Sequence, residues 1–556
     1  MDSSHKLIET PDFTEIPNLE ELVFEDCINL HEFHPSIGDL TKLTLLNLKG
    51  CKNLKSLPSK FEMESLEILI LSRCAKVKKI PEFRGSMECV RKLYLDGTAI
   101  TKLPASIENL TGLVSLILRD CKNLVCVPSA IFNLKLLKDV DISGCSKFET
   151  LPENLGNAEN IEELDLSGTA IRHMPSSIGL LKNLKTLSLE GCKGLSSANK
   201  SRYELIPFYS KLISPDPVGL PPLLGLCSLI KLNLRDCNLK AIPNEIGSLF
   251  SLEYLYLNRN KFVCLPESIG QLSRLFHLDL SENNLKCLPE SIGQLSQLRQ
   301  LEPRENNLEY LPESIGQLTK LGKLDLRENN LKCLPESIGQ LKLNRLDLYE
   351  NDLVSLPESL GQLTQLLQLR LGKNNLTCLP ESIGQLSLLP SLDLGENNLK
   401  CLPESIGQLK LNRLDLWGND LVSLPESLGQ LSLREMGLHD CIYLKSLPKL
   451  PLNIHSVYAE GCKSLEMIPD LLRPNAVLKL NLLNCFKLSE NQVFIDNFIA
   501  YVKRNPQVFL SLSLSLSLSL SLTSKQHVFV CFRDWSLLSL EVKFRSGLAI
   551  KVWGLQ

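Results

Sequence analysis

At 556 residues the chain exceeds an ordinary single domain, so either several domains or one repeat array accounts for it. Lys plus Arg number 60 against 63 Asp plus Glu, a net charge of -3 that supplies no field to gather nucleic acid or anionic lipid. The 19 cysteines would suggest a disulfide framework in a small secreted protein, but the first residues, MDSSHKLIETPDF, alternate polar and apolar and break at Pro11, which argues against a secretory leader or a spanning helix there.

In chain order, Leu7-Ile8-Glu9-Thr10-Pro11 reads as the tail of a repeat whose strand is missing, so residues 1–18 are taken as a partial unit. From Leu19 onward the pattern L-x-x-L-x-L-x-x-N/C-x-L-x-x-L-P recurs mostly every 22 to 24 residues, most cleanly at Leu275, Leu278, Leu280, Asn283, Leu285, Leu288 and Pro289. This is the leucine-rich-repeat signature. Twenty first positions run from Leu19 to Val477, forming one block over residues 19–195 and a second over 229–490. The double gap between Leu184 and Leu229 holds a Pro-rich stretch, residues 196–228, expected to bulge from one face as a loop. Residues 491–556 contain a strict Ser-Leu alternation, Ser511 to Leu522, and an unassigned closing tail that alternates enough for two or three strands but carries no motif.

Each L-x-L core has the period of a short strand, with leucines turned one way and the intervening residues the other. The expected fold is therefore an α/β leucine-rich-repeat solenoid, a horseshoe with parallel strands on its concave face. The segment P-E-S-I-G-Q-L reads as a short helical turn on the convex face, started by Pro with Glu near its positive end. Cys27, Cys51, Cys74, Cys121, Cys145, Cys192, Cys237, Cys441, Cys462 and Cys485 occupy the place where other repeats carry Asn. A side chain there closes the turn by bonding to backbone that would otherwise be buried unpaired, Asn well and Cys weakly. Cys126, Cys264, Cys287, Cys333, Cys378 and Cys401 recur just before the Leu-Pro or Val-Pro step, and all of these read as reduced single thiols.

No chemistry of an enzyme is found, so no catalytic residue, cofactor or metal is expected. The only Gly-Lys steps, Gly322-Lys323 and Gly372-Lys373, are followed by Leu and Asn and make no phosphate loop. No CxxC or HxxxH spacing offers zinc ligands. Function should reside at the outward strand positions, which vary while the leucines do not. Their central column runs Tyr256, Asp279, Glu302, Asp325, Asp347, Arg370, Asp393 and Asp415, an acidic ladder interrupted once. Two residues on, Arg304, Arg327, Tyr349 and Trp417 stand beside it, and earlier in the chain Tyr94, Arg119, Arg235 and Tyr254 occupy outward places. Apart from Glu302 and Asp347, these are the candidate protein-binding residues, because exposed Tyr, Trp and Arg are the usual interface anchors and an alternating charge column selects the partner.

The phrases HKLIETPDFTEIPNLEELVFEDCINL, LDLSGTAIRHMPSSIGLLKNLKTLSLEGC and LNLLNCFKLSEN resemble the repeat region of plant intracellular immune receptors of the TIR nucleotide-binding leucine-rich-repeat class, over residues 1 to about 490. The L-x-G-T-A-I variants at Leu95 to Ile100 and Leu166 to Ile171 are the more specific part. The resemblance implies recognition of a pathogen effector, or contact with TIR and nucleotide-binding receptor domains that this sequence does not contain. The charge balance and the opening residues point to a cytoplasmic or nuclear protein without nucleic-acid or membrane partners, of undetermined oligomeric state. The alternative, resting on the regular LPESIGQL block from Leu265 to Leu431, is an intracellular signalling scaffold resembling plant Ras-group repeat proteins.

Overall fold

The computed structural model describes residues 4, 6–197, 223–468, 479–494, 496, 539–543 and 549–553. Most of the insertion loop and the whole Ser-Leu tract lie outside these. The chain forms two compact units, Met1–Asn307 and Leu308–Gln556.

In the first unit, three-residue strands pair in parallel from Glu21–Val23 to Gln300–Glu302, each beginning two residues after its repeat's first leucine or equivalent. The ladder crosses the insertion without losing register, for Leu187 pairs with Leu232. The second unit repeats the arrangement from Lys323–Asp325 to Lys479–Asn481. Near its end, Ser539–Lys543 and Ala549–Trp553 pair antiparallel, two of the strands expected of the alternating tail.

The middle residue of each strand and the leucines around it build the core. Leu278, Leu280, Leu301, Leu324 and Leu346 are all 0% exposed. A single repeat has only this one apolar edge, so burial is completed by its neighbours, and stability rises from nearest-neighbour stacking. On the opposite side, the E-S-I-G-Q segments form 3-10 turns such as Glu267–Gln271, with Ile269 and Gly270 turned inward. Pro266 does not start the turn as expected but caps it from one place earlier, with an extended ψ of 148°. Proline fits there because its fixed φ and missing N–H leave no buried donor ahead of the turn.

The Asn and Cys positions behave as the period required. Asn374 donates from Nδ2 to Leu348 O at 2.9 Å, Leu371 O at 3.0 Å and Gly372 O at 3.3 Å, and its Oδ1 accepts from Leu353 N at 3.1 Å. Cys51 and Cys237 each donate through Sγ to a carbonyl of the preceding repeat at 3.0 Å, Phe24 O and Leu189 O. Burial pushes both thiols up to about 12, so they stay neutral donors. Every cysteine among the described residues is free. In the L-x-G-T-A-I repeats a threonine takes this place, and Thr169 Oγ1 donates to Leu166 O at 2.7 Å.

The residue just before this position is left-handed throughout, at φ 75° for Gly50 and 73° for Gly144, but also at 55° for Glu282 and 48° for Glu396. A non-glycine residue there carries about 1–2 kcal/mol of strain, against about 0.5–1 kcal/mol of extra entropy lost by glycine. Glu396→Gly is therefore expected to raise the melting temperature by roughly 1–3 °C; thermal denaturation followed by circular dichroism checks this, and a fall would show that the turn is not strained.

Candidate protein-binding face

Strand register sets the outward residues in columns. In the first unit Asn233, Tyr256, Asp279 and Glu302 stand side by side, and in the second Asp325, Asp347, Arg370, Asp393, Asp415, Gly437 and Tyr458. The residues read from the sequence as one column are thus neighbours within each unit.

The arginines do partner the acids. Arg327 Nε lies 3.0 Å from Asp325, Arg370 Nη1 3.4 Å from Asp347, and Arg413 Nε 2.7 Å from Asp415. Arg345 adds a contact of 3.5 Å to Asp347, which is fully buried. Burial outweighs these cations and holds the Asp347 carboxyl above its usual range; Asp393 is raised for the same reason. In the first unit Arg119 pairs with Asp141 at 2.7 Å and Arg235 with Glu190 at 3.7 Å, while Arg304 pairs with Glu305. Since Asp325 is only 3% exposed and covered by Arg327, it shapes the face but is not itself presented to a partner.

The aromatic residues depart from the expectation of exposure. Tyr94, Tyr254, Tyr256, Tyr349 and Trp417 are half-buried, whereas Tyr458, at the end of the second column, is 39% exposed. For Tyr349 and Trp417 the cause is glycine at neighbouring outward positions. A Cβ on Gly372 would stand 3.2 Å from the Tyr349 ring, and one on Gly395 would stand 2.1 Å from Trp417 Nε1. Each ring therefore lies down across an adjacent repeat. Lys373 Nζ sits 5.3 Å from the centre of the Tyr349 ring, and Trp417 stacks on His439 at 5.9 Å. In the first unit Tyr256 meets the His277 ring at 5.2 Å and Tyr254 meets Phe276 at 5.9 Å. Rings held in this way lose little freedom on binding, which suits an interface anchor.

A solved leucine-rich-repeat protein of Leptospira interrogans superposes with a TM-score of 0.52 at 31% identity, covering 72% of this chain and 90% of that one. The chain belongs to the leucine-rich-repeat proteins. Family models agree: a leucine-rich repeat region matches residues 210–326, and the leucine-rich repeats of disease resistance protein RPS4B-like match 61–150. These leucine-rich repeats are of the plant disease-resistance kind. The chain is 41% identical to TMV resistance protein N of Nicotiana glutinosa over 47% of its own length, and 40% identical to disease resistance protein RPP2A of Arabidopsis thaliana over 22%. It spans only 21% and 9% of those two relatives. Among the described residues no helix is long and apolar enough to cross a membrane, and no group of three or more metal-ligating side chains occurs.

Proposed function

We propose that the chain is a protein-recognition module of plant innate immunity, binding a pathogen effector or a receptor component through the outward strand positions. The observation that carries this reading is the laying of Tyr349 and Trp417 across Gly372 and Gly395, in register with a column of Arg and Asp residues. Aromatic side chains held flat between charged neighbours combine desolvation with orientation, the two properties that hot spots require. Similarity to resistance proteins over the repeats supports the immune setting, and the reading places the module in the cytoplasm or nucleus.

The test is affinity for an effector or receptor domain that co-purifies with the chain. Trp417→Ala, or Tyr349→Ala, is expected to weaken that affinity by about 30-fold, the scale of a hot-spot truncation. Unchanged affinity in both variants, measured by calorimetry, moves the site off this face. Capture of a small GTPase in place of an effector would select a signalling scaffold instead.

A further inference from the structure

We propose that the notch above Gly437 takes a lysine or arginine side chain of the recognised protein; the inference rests on the strand face being the recognition surface. Gly437 stands in the central column between Asp415 and Tyr458, so the ladder lacks one side chain there. The gap is a depression of about 230 Å3 lined by Arg413, Asp415, Glu435, Gly437, His439 and Tyr458.

Two walls of different chemistry face it. On one side Trp417 stacks on His439, whose ring meets Tyr458 edge-on at 6.5 Å. Tyr458 is the π-rich ring among the lining residues, and the face of a tyrosine ring attracts cations. On the other side stand the carboxylates of Asp415 and Glu435. Asp415 gives one oxygen, Oδ2, to Arg413 at 2.7 Å, while Oδ1 leans over Gly437, 2.7 Å from where a Cβ would stand. Glu435 lies further from the same guanidinium, at 3.5 Å, with its side chain 44% exposed. One arginine thus serves two acids, which leaves the notch with an excess of negative charge. Both walls favour a cation. An anion would be repelled, because Arg413 is already committed, and an apolar group would strip water from two carboxylates without replacing it.

A selection from a random library of short peptides displayed on phage, run against the full chain, tests this. Enriched peptides are expected to carry Lys or Arg at one fixed place. Replacing that residue by leucine, or introducing Gly437→Val or Glu435→Gln into the chain, should weaken binding by about tenfold or more in fluorescence anisotropy. Gly437 does not have a left-handed φ, and a new Cβ would meet only the end of the Asp415 side chain, so the valine variant should fold; its melting curve verifies that. The proposal is overturned by enriched peptides that lack basic residues, by basic peptides that bind Gly437→Val as tightly as the parent chain, or by an empty selection. If peptides ignore Gly437→Val but are lost on Tyr349→Ala, the notch assignment alone fails and the strand face stands. If neither substitution matters, both readings fail.

Discussion

Asn374→Ala should lower the unfolding free energy of the second unit by about 3–5 kcal/mol. Alanine removes four hydrogen bonds at once, three from Nδ2 and one to Oδ1, and all four involve backbone. Asn374 is 6% exposed, so water cannot replace them. Leu353 N loses its acceptor, at about 1–3 kcal/mol for a buried polar group so stranded, while Leu348 O keeps the Nδ2 of Asn351 at 3.2 Å. Asn374→Cys should recover part of the loss, because Cys441 at the equivalent position donates to Leu416 O at 3.3 Å. Urea denaturation of the three chains is expected to rank them Asn, Cys, Ala. Equal loss for Cys and Ala would mean that filling space matters and the bond to the preceding repeat does not.

Gly361→Val is expected to cost about 3 kcal/mol, at the upper end for overpacking. Gly361 lies in the turn Glu358–Gln362, and a Cβ on it would stand 2.5 Å from Ser382 O and 2.6 Å from Ser382 Cβ in the next turn. The obstacle is main chain, so relief requires the two turns to separate. That opens the core at Leu360 and Ile383, both 0% exposed. Gly437→Ala, whose nearest obstacle is a flexible carboxylate, serves as the contrast and should leave the transition midpoint nearly unchanged. Comparable shifts for the two variants would show that the turns do not stack as closely as Gly361 requires.

The period of the leucines made most of the scaffold legible. Alternation in L-x-L dictates a strand and its facing, and the Asn or Cys that follows dictates how the turn is closed. The outward columns were legible for the same reason, since parallel strands of equal repeat length bring equivalent residues side by side. What the leucine pattern did not reveal depended on small residues between repeats. Tyr349 and Trp417 read as exposed because a single repeat contains nothing to cover them, and glycine in the adjacent repeat is what lets them lie down. The signal was present in Gly372 and Gly395 but only when read across repeats. Asp325 and Asp347 likewise read as surface acids until neighbouring strands and the arginines beside them close over the carboxylates. The left-handed residue before each Asn or Cys was hidden because Glu, Asp, Arg, Lys, Asn and Gly share the position, and only the glycines advertise it.

The bonds of Asn374 to other repeats go to main-chain atoms alone, and those of Cys51 and Cys237 do as well. A backbone carbonyl is the same in every repeat, so the joint between two units carries no memory of which units they are. Recombination that deletes or duplicates a whole repeat would leave these backbone joints chemically intact while bringing side by side outward residues of repeats that were not neighbours before. The scaffold is thereby indifferent to a class of genetic change to which the strand face is sensitive, and new surfaces arise without any need to re-evolve the core.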